Sequence, residues 1–397
     1  MFQTIERRPP DPILGLSAAY KNDTNANKVD LGVGVYKDEA GNCPVMTAVK
    51  TAENKLWQIE DSKSYIAQAG PELFLKHTLG LLLGNDHAAV KDQRAATVLA
   101  PGGSGALRVA AEFVARSYPG TRIFVSDPTW ANHIPLLGSA GLKLELYPYY
   151  DYAAHNIKFD QMMDKLKQAG KGDLVLLHGC CHNPCGADLN QDQWRAIRDL
   201  ALKNGFTPFI DLAYQGLGDG VDEDCYGVRL LGAVLPELIV VSSCSKNFGV
   251  YRERVGALTV ICQTPESMKA ASSLIASTAR GIYSMPPDHG ATIVEMILAD
   301  AELRADWEAE LTDMRERING LRTLLVNRLK AAGVPQNFSF IQNEKGMFSF
   351  LGISVPQVQR LTKEYSIYLV DSSRINVAGI NDANIDYLVD SLKTVLG

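Results

Sequence analysis

The sequence lacks what a membrane protein needs. Its longest apolar runs, such as Leu174–Leu177 and its neighbours, are strand-sized, well short of the roughly 20 residues that carry a helix across a bilayer. The opening Met1-Phe2-Gln3-Thr4-Ile5-Glu6 has no apolar stretch preceded by basic residues, so no secretory leader is expected and the cytoplasm is. Positive charge is scarce too. The formal net charge is −6, and no Lys/Arg run makes a dense basic face, which argues against a general nucleic-acid binder.

Cysteine is sparse and odd in number, seven in 397 residues, which does not suit a disulfide framework. The cluster Cys180-Cys181-His182-Asn183-Pro184-Cys185 invites a metal reading. It has no second Cys/His pair at finger or ribbon spacing, and adjacent cysteines at a strand end are expected to point in opposite directions. Reduced, packed thiols and no metal are the expectation. Two nucleotide signatures are absent as well. The stretch Pro101-Gly102-Gly103-Ser104-Gly105 has no trailing Lys-Ser/Thr, which disfavours an ATP-type loop. Nor has it the GxGxxG spacing of a dinucleotide-binding dehydrogenase.

What is present reads as an ordinary soluble globular protein: 46% hydrophobic and 21% charged residues over a length that suits two or three domains. Candidate strands are Ala96–Leu99, Arg122–Val125, Leu142–Tyr147, Leu174–His178, Thr207–Ile210, Glu237–Ser242 and Gly256–Ile261. Helical patterns lie between them at Ala106–Arg116, Phe159–Gln168, Gln191–Asn204 and Tyr226–Val234. This alternation predicts an α/β chain with a mainly parallel sheet covered on both faces. A long helical segment, Ala301–Ala332, follows without strong caps. The tail from Gly346 to Gly397 then reads as a smaller unit, partnered by the segment around Val29–Val35.

Ligands of open parallel sheets bind beyond the carboxyl ends of the strands. Those ends deliver the glycines, then Trp130, Asn183, Asp211 with Tyr214, and Ser243-Cys244-Ser245-Lys246. Such an inventory suits a phosphate-bearing aromatic cofactor with a carbonyl group. Free backbone N–H groups ahead of a helix suit the phosphate, although glycine-rich turns of this kind are common. A lysine with such flanking is ordinarily a solvated surface residue. Here it follows the apolar run Leu238–Val241, so it projects at the functional edge, where Arg254 and partial desolvation favour a nucleophilic amine. Ser243 and Arg254 complete a phosphate cradle. Asp211 at an apolar strand end fits a capped turn, or a partner for a protonated pyridine nitrogen with His133 behind it.

The chain resembles the fold-type I, class I aminotransferases, specifically the bacterial aspartate and aromatic amino-acid enzymes, over essentially its whole length. The resemblance rests on separate stretches: Asp11-Pro12-Ile13-Leu14-Gly15-Leu16, Leu31-Gly32-Val33-Gly34-Val35-Tyr36, Pro101–Leu107, His178–Pro184, Asp211–Gly216, Ser245–Gly249 and Gly346-Met347-Phe348-Ser349. It implies the fold of pyridoxal-5′-phosphate (PLP) transferases: a large domain at 48–313 holding a mainly parallel seven-stranded sheet. A smaller α/β domain is made from 314–397 and from 1–47, which also supplies an N-terminal arm.

The roles it implies are these. Lys246 holds PLP as a Schiff base and moves the reaction's proton; Asp211 pairs with the pyridinium nitrogen; Asn183 and Tyr214 bond the phenolic oxygen. Trp130, which alone would be read as core, stacks on the ring. Gly103, Ser104, Ser243, Ser245 and Arg254 surround the phosphate. Tyr65 reaches the phosphate of a neighbouring subunit, implying a homodimer with shared sites. Arg374 clamps the substrate α-carboxylate beside Gly34, and Arg280 crosses the interface to a distal carboxylate; either arginine alone would pass for a surface charge.

Arg280 argues for dicarboxylic substrates, with glutamate and 2-oxoglutarate as the common pair in a ping-pong exchange. The chain departs from the strictly aspartate-specific pattern at several positions: Cys43, Ser104 and Cys185 stand for Thr, and Ser64, Ile282 and Met285 for Asn, while Lys37 is kept. Trading polar groups for apolar or smaller ones lowers the desolvation cost of an aromatic ring. A dual aromatic and dicarboxylic aminotransferase is therefore expected, with a narrow aspartate enzyme as the alternative. A PLP decarboxylase or lyase is disfavoured by the two arginines. A PLP-binding regulator would need a helix-turn-helix domain, and only a short arm precedes the matching region.

Overall fold

The computed structural model describes residues 2–6 and 12–397, with side chains in the second stretch from residue 15 onward. Asp11, the first residue of the Asp11–Leu16 stretch, lies outside the described residues. Seven strands form the main sheet: β1 (Ala95–Pro101), β2 (Arg122–Asp127), β3 (Lys143–Pro148), β4 (Leu174–His178), β5 (Thr207–Leu212), β6 (Leu238–Ser243) and β7 (Val255–Ile261). Their spatial order is β1-β7-β6-β5-β4-β2-β3. All neighbours are parallel except β7, which runs antiparallel to both β1 and β6. Strands β6 and β7 are buried along their whole length, which is why they read as continuous apolar runs rather than alternating ones. Edge strand β3 keeps Lys143 exposed at its open end, as an edge must to avoid pairing with another chain.

Parallel β2, β4, β5 and β6 all end on the same edge of the sheet. Antiparallel β7 begins there, directly after Arg254, and its Val255 pairs with Pro101 at the end of β1. With β3, which ends beside β2, all seven strands therefore have a terminus on this edge. Helix α1 (Gly102–Ser117) starts there too. The glycines read as a loop ahead of the helix are its first turn. Gly102 has φ +70°, and a Cβ on it would lie 2.3 Å from an Arg254 guanidinium nitrogen. A side chain at Gly256 would strike the Gly102 carbonyl carbon at 2.4 Å, so both positions are held to glycine by close approach.

A second apolar core lies apart from the sheet. Val29 and Leu31 pack there with Leu325, Leu361, Ile367, Ile375, Leu388 and Leu392. Val29–Asp30 pairs in parallel with Ile367–Tyr368, so the N-terminal segment does join the tail. Helix α2 (Ala301–Ala331) links the two cores: Trp307, Leu311 and Ile318 face the first, Leu321, Leu325 and Leu329 the second. The expectation that it lacks a strong cap is wrong. The Asp300 carboxylate accepts from the Glu302 and Leu303 N–H groups at 3.0 and 3.2 Å, satisfying two orphan donors. Helices Thr47–Ile59, Glu72–Leu83, Pro265–Tyr283 and His289–Ala299 were not anticipated. Glu72–Leu83 shows why: ELFLKHTLGLLL is apolar nearly all round, so it has no stripe to recognise. Among the described residues no helix is long and apolar enough to cross a membrane.

Candidate active site

At the shared edge lies a cavity of about 280 Å³. Twelve of the residues singled out from the sequence line it: Gly34, Gly103, Ser104, Trp130, Asn183, Asp211, Tyr214, Ser243, Ser245, Lys246, Arg254 and Arg374. Sheet register explains the convergence. His178 sits opposite Asp211 and Asp211 opposite Val241, so adjacent strands release their loops at the same level.

At one end, α1 begins without a side-chain cap, leaving the N–H groups of its glycine-rich first turn free for an anion. The Ser243 hydroxyl bonds the Ser245 hydroxyl at 3.1 Å beside it. Arg254 is fixed by the Tyr251 carbonyl at 3.0 Å. Three kinds of donor thus face one spot: backbone N–H, two hydroxyls and a guanidinium.

In the middle, Lys246 lies with its ammonium 4.8 Å from the Tyr214 ring centre. Burial lowers its pKa to about 8; Asp211 resists that shift and Arg254 adds to it. Burial alone would raise the Asp211 carboxyl, yet its pKa falls below the ordinary value, because the His133 hydrogen bond and the fields of His133, His178 and Lys246 together outweigh desolvation. His133 Nε2 stands 2.9 Å from Asp211 Oδ2. His133 Nδ1 meets the Thr129 hydroxyl at 2.7 Å, and Thr129 meets His178 at 3.2 Å. Burial pushes His178 down to about 3, with His133 adding to the effect, so that ring stays neutral at working pH. The result is a carboxylate held ionised in an apolar wall.

At the other end, Arg374 is 5% exposed. Its guanidinium donates to Gly32 O at 2.8 Å and Asn183 Oδ1 at 3.3 Å and lies 4.3 Å from the Phe348 ring centre. Its Nε is buried without a partner. Among the described residues no carboxylate lies within ion-pair distance of it. A buried cation with an unspent donor is costly unless a ligand supplies the anion.

Tyr65 and Arg280 are not in this cavity. Tyr65 is 91% exposed and Arg280 is also exposed. Of the residues that depart from the aspartate pattern, Ser104 alone lines the cavity among the described residues. Cys185 is fully buried behind it, its thiol 3.1 Å from His182 Nδ1, while Met285 Sδ accepts from Ile66 N at 3.2 Å, next to Tyr65. Five cavity residues were not singled out: Tyr251, which has no motif of its own, and Leu107, His178, Ala213 and Phe348, which stood in view within the quoted stretches but whose place in the cavity, like the contact of Phe348 with Arg374, depends on folding.

The opposed orientation expected for Cys180 and Cys181 is also wrong. Cys181 adopts φ +50°, and both thiols lie within 4.8 Å of each other and of an Asp224 oxygen. Burial raises both thiols, and Asp224 already accepts from the N–H groups of Gly216, Gly218 and Asp219. The two thiols thus pack, protonated by burial, against a carboxylate whose oxygens are already engaged by backbone N–H groups.

A family model described as aminotransferase class I and II matches residues 26–392. The aspartate aminotransferase of Haemophilus influenzae is 47% identical over 396 residues, 100% of each chain. The aromatic-amino-acid aminotransferase of Pseudomonas aeruginosa is 46% identical over 394 residues, 99% of this chain and 98% of that one. A crystal structure of the aromatic-amino-acid aminotransferase of Burkholderia pseudomallei, covalently bound to pyridoxal phosphate, covers 100% of both chains with a TM-score of 0.98 at 41% identity.

Proposed function

Since the chain belongs to the class I and II aminotransferases, we propose that Lys246 carries pyridoxal 5′-phosphate and that the enzyme exchanges amino groups among aromatic and dicarboxylic L-amino acids and their 2-oxo acids. The observation that carries the assignment is the single cavity in which a desolvated amine, an ionised buried carboxylate, an uncapped helix and an unpartnered guanidinium face one another. The residues fit the cofactor's parts. The α1 first turn with Gly103, Ser104, Ser243, Ser245 and Arg254 suits a phosphate dianion, and Asp211 suits a protonated ring nitrogen. Asn183, Tyr214 and Trp130 line the same cavity; Asn183 and Tyr214 would bond the phenolic oxygen, and Trp130 would stack on the ring.

When bound, the cofactor supplies a carbonyl that accepts the amino group and a ring that withdraws electrons from the substrate Cα. The chain's own part is positional and acid–base. Arg374 takes the α-carboxylate through its unspent Nε and its terminal nitrogen, with Gly34 leaving the approach open. Lys246 Nζ, with a pKa near 8, accepts and returns a proton near neutral pH. His133 keeps Asp211 charged throughout. Segments from both chain ends bring Gly34, Phe348 and Arg374 to the cavity, Phe348 itself packing with the sheet core; we assign a smaller domain to residues 1–47 and 314–397, against a large domain at 48–313.

Tyr65 and Arg280 need a second copy of the chain to reach a site, and we place them in a homodimer. The exposed Trp57, Ile59 and Tyr65 support an interface, at 81%, 69% and 91% exposure, since large apolar side chains left open to solvent favour association. Sedimentation at micromolar concentration should give a mass twice that of the chain; a monomer that is fully active sinks the shared-site arrangement.

Aspartate-named and aromatic-named relatives are nearly equally similar, so specificity has to be measured. With 2-oxoglutarate as acceptor, kcat/KM for phenylalanine should lie within about tenfold of that for aspartate. A phenylalanine value lower by about 10⁴ would instead make this a narrow aspartate enzyme.

A further inference from the structure

Behind the Arg374 wall lies a buried polar node that touches no substrate. The Arg322 guanidinium, on α2 and 1% exposed, grips the turn that leads into Phe348. It donates to the carbonyls of Ile341 at 3.0 Å, Gly346 at 2.7 Å and Phe348 at 2.6 Å. It also stands 3.6 Å from the Glu344 carboxylate. Glu344, 3% exposed, accepts from the Tyr150 hydroxyl at 3.0 Å and from the Ser349 hydroxyl.

The node crosses the boundary between the two cores. Tyr150 belongs to the sheet core, whereas Arg322 lies on α2 between Leu321 and Leu325 of the second core. The same turn is seated on the large core by the Lys345 N–H to Gly186 O bond of 2.7 Å. Downstream, Phe348 has no slack. Its ring tip is 2.8 Å from where a Cβ on Gly34 would be, and its face lies against Arg374. Moving the turn moves Phe348, and Phe348 moves the guanidinium.

We infer that Glu344 and Arg322 are positioning residues, which set Phe348 beneath Arg374 across the two cores so that the charge on Glu344 governs how tightly the site holds a substrate α-carboxylate. Every near partner of Glu344 is a donor to an anion. Protonation forces one hydroxyl to reverse and removes the counter-charge from Arg322, which loosens the turn. The proton binds in the relevant range. Burial raises the Glu344 carboxyl to about 7, with the Arg322 charge and the Ser349 and Tyr150 hydrogen bonds resisting and Asp188 assisting. Other groups facing the node are His155, 3.3 Å from the Tyr150 hydroxyl, the Cys185 thiol, whose proton the Glu344 charge helps to retain, and Lys345, which is turned outward to Asp219.

The inference rests on Arg374 receiving the carboxylate. Its test is the Kd of PLP-loaded enzyme for maleate, a dicarboxylate inhibitor, from pH 5.5 to 8.5. Glu344→Gln keeps the shape and removes the charge. Its Kd should exceed the wild-type value by about 10-fold at pH 8.5 and by less than about twofold at pH 5.5, where wild-type Glu344 is itself neutral. In turnover the variant should raise KM while kcat changes less than about threefold. A ratio that is the same at every pH, or a lowered melting temperature with unchanged Kd, overturns the inference. Tyr150→Phe serves if that variant does not fold. With one donor lost Glu344 titrates higher, so the variant-to-wild-type Kd ratio should peak just above roughly pH 7; a flat ratio overturns the inference equally. Wild-type enzyme that binds no maleate at any pH would fail the Arg374 assignment first, and this inference with it.

Discussion

Lys246→Ala should lower turnover of aspartate with 2-oxoglutarate by about 10⁴-fold or more while leaving the protein folded. Two separate contributions disappear: the amine that holds the cofactor covalently, and the base that moves the proton at the substrate Cα, the second alone worth about 10²–10⁴. Burial lowers the Lys246 pKa to about 8, against about 10.4 for a solvated lysine. Acylation of Lys246 in cofactor-free protein should therefore rise through a midpoint near pH 8, with Asp211→Asn moving that midpoint down, since the aspartate charge favours the ammonium. A variant retaining activity within tenfold of wild type, measured by coupled assay on freshly purified protein, would remove Lys246 from the chemistry.

The second large effect belongs to Arg374. Charge-assisted hydrogen bonds contribute about 1.5–3 kcal/mol each; losing two should cut kcat/KM in Arg374→Leu by about 10²–10⁴. Arg374→Lys should restore little. A compact ammonium cannot hold Gly32 O and Asn183 Oδ1 while also meeting a carboxylate with two parallel N–H groups. The discriminating observation is the pair of substrates. Aspartate and phenylalanine both carry an α-carboxylate, so both should lose activity by similar factors. Loss confined to aspartate would mean that Arg374 reads the side-chain carboxylate, and the assignments of Arg374 and Arg280 would have to be exchanged.

How much of this was legible beforehand depended on whether a feature was local. Helices Gln191–Asn204 and Tyr226–Val234 match the expected bounds, because amphipathic periodicity and the Asn190 capping box are written within one stretch of chain. Helix Glu72–Leu83 was missed because its sequence is apolar nearly all round, and which of those residues face the core is a property of its neighbours. The start of α1 was placed late because glycine argues against a helix interior, and only the close approach of Arg254 and β7 explains why glycine is needed there. The Cys180–Cys181 orientation failed for a similar reason: strand alternation was assumed to continue past His178, whereas Cys181 turns back with φ +50°.

Sequence alone determined the α/β alternation and which residue types stand at each strand end, since both follow from period and apolar content along short segments. It also placed Lys246, Asp211 and the phosphate-facing glycines at one edge, because parallel strands release their loops on one side. Tertiary structure alone decided what surrounds them. Phe348 reaches Arg374 only because Phe348–Phe350 pairs with Arg374–Asn376, and Glu344 meets Tyr150 across 194 residues of chain. The ionisation of Lys246, Asp211 and Glu344 depends on burial and on charges a few ångströms away, contributed by residues far apart in the chain. Local pattern specifies elements and their order; only packing specifies dielectric and distance, and those set the chemistry.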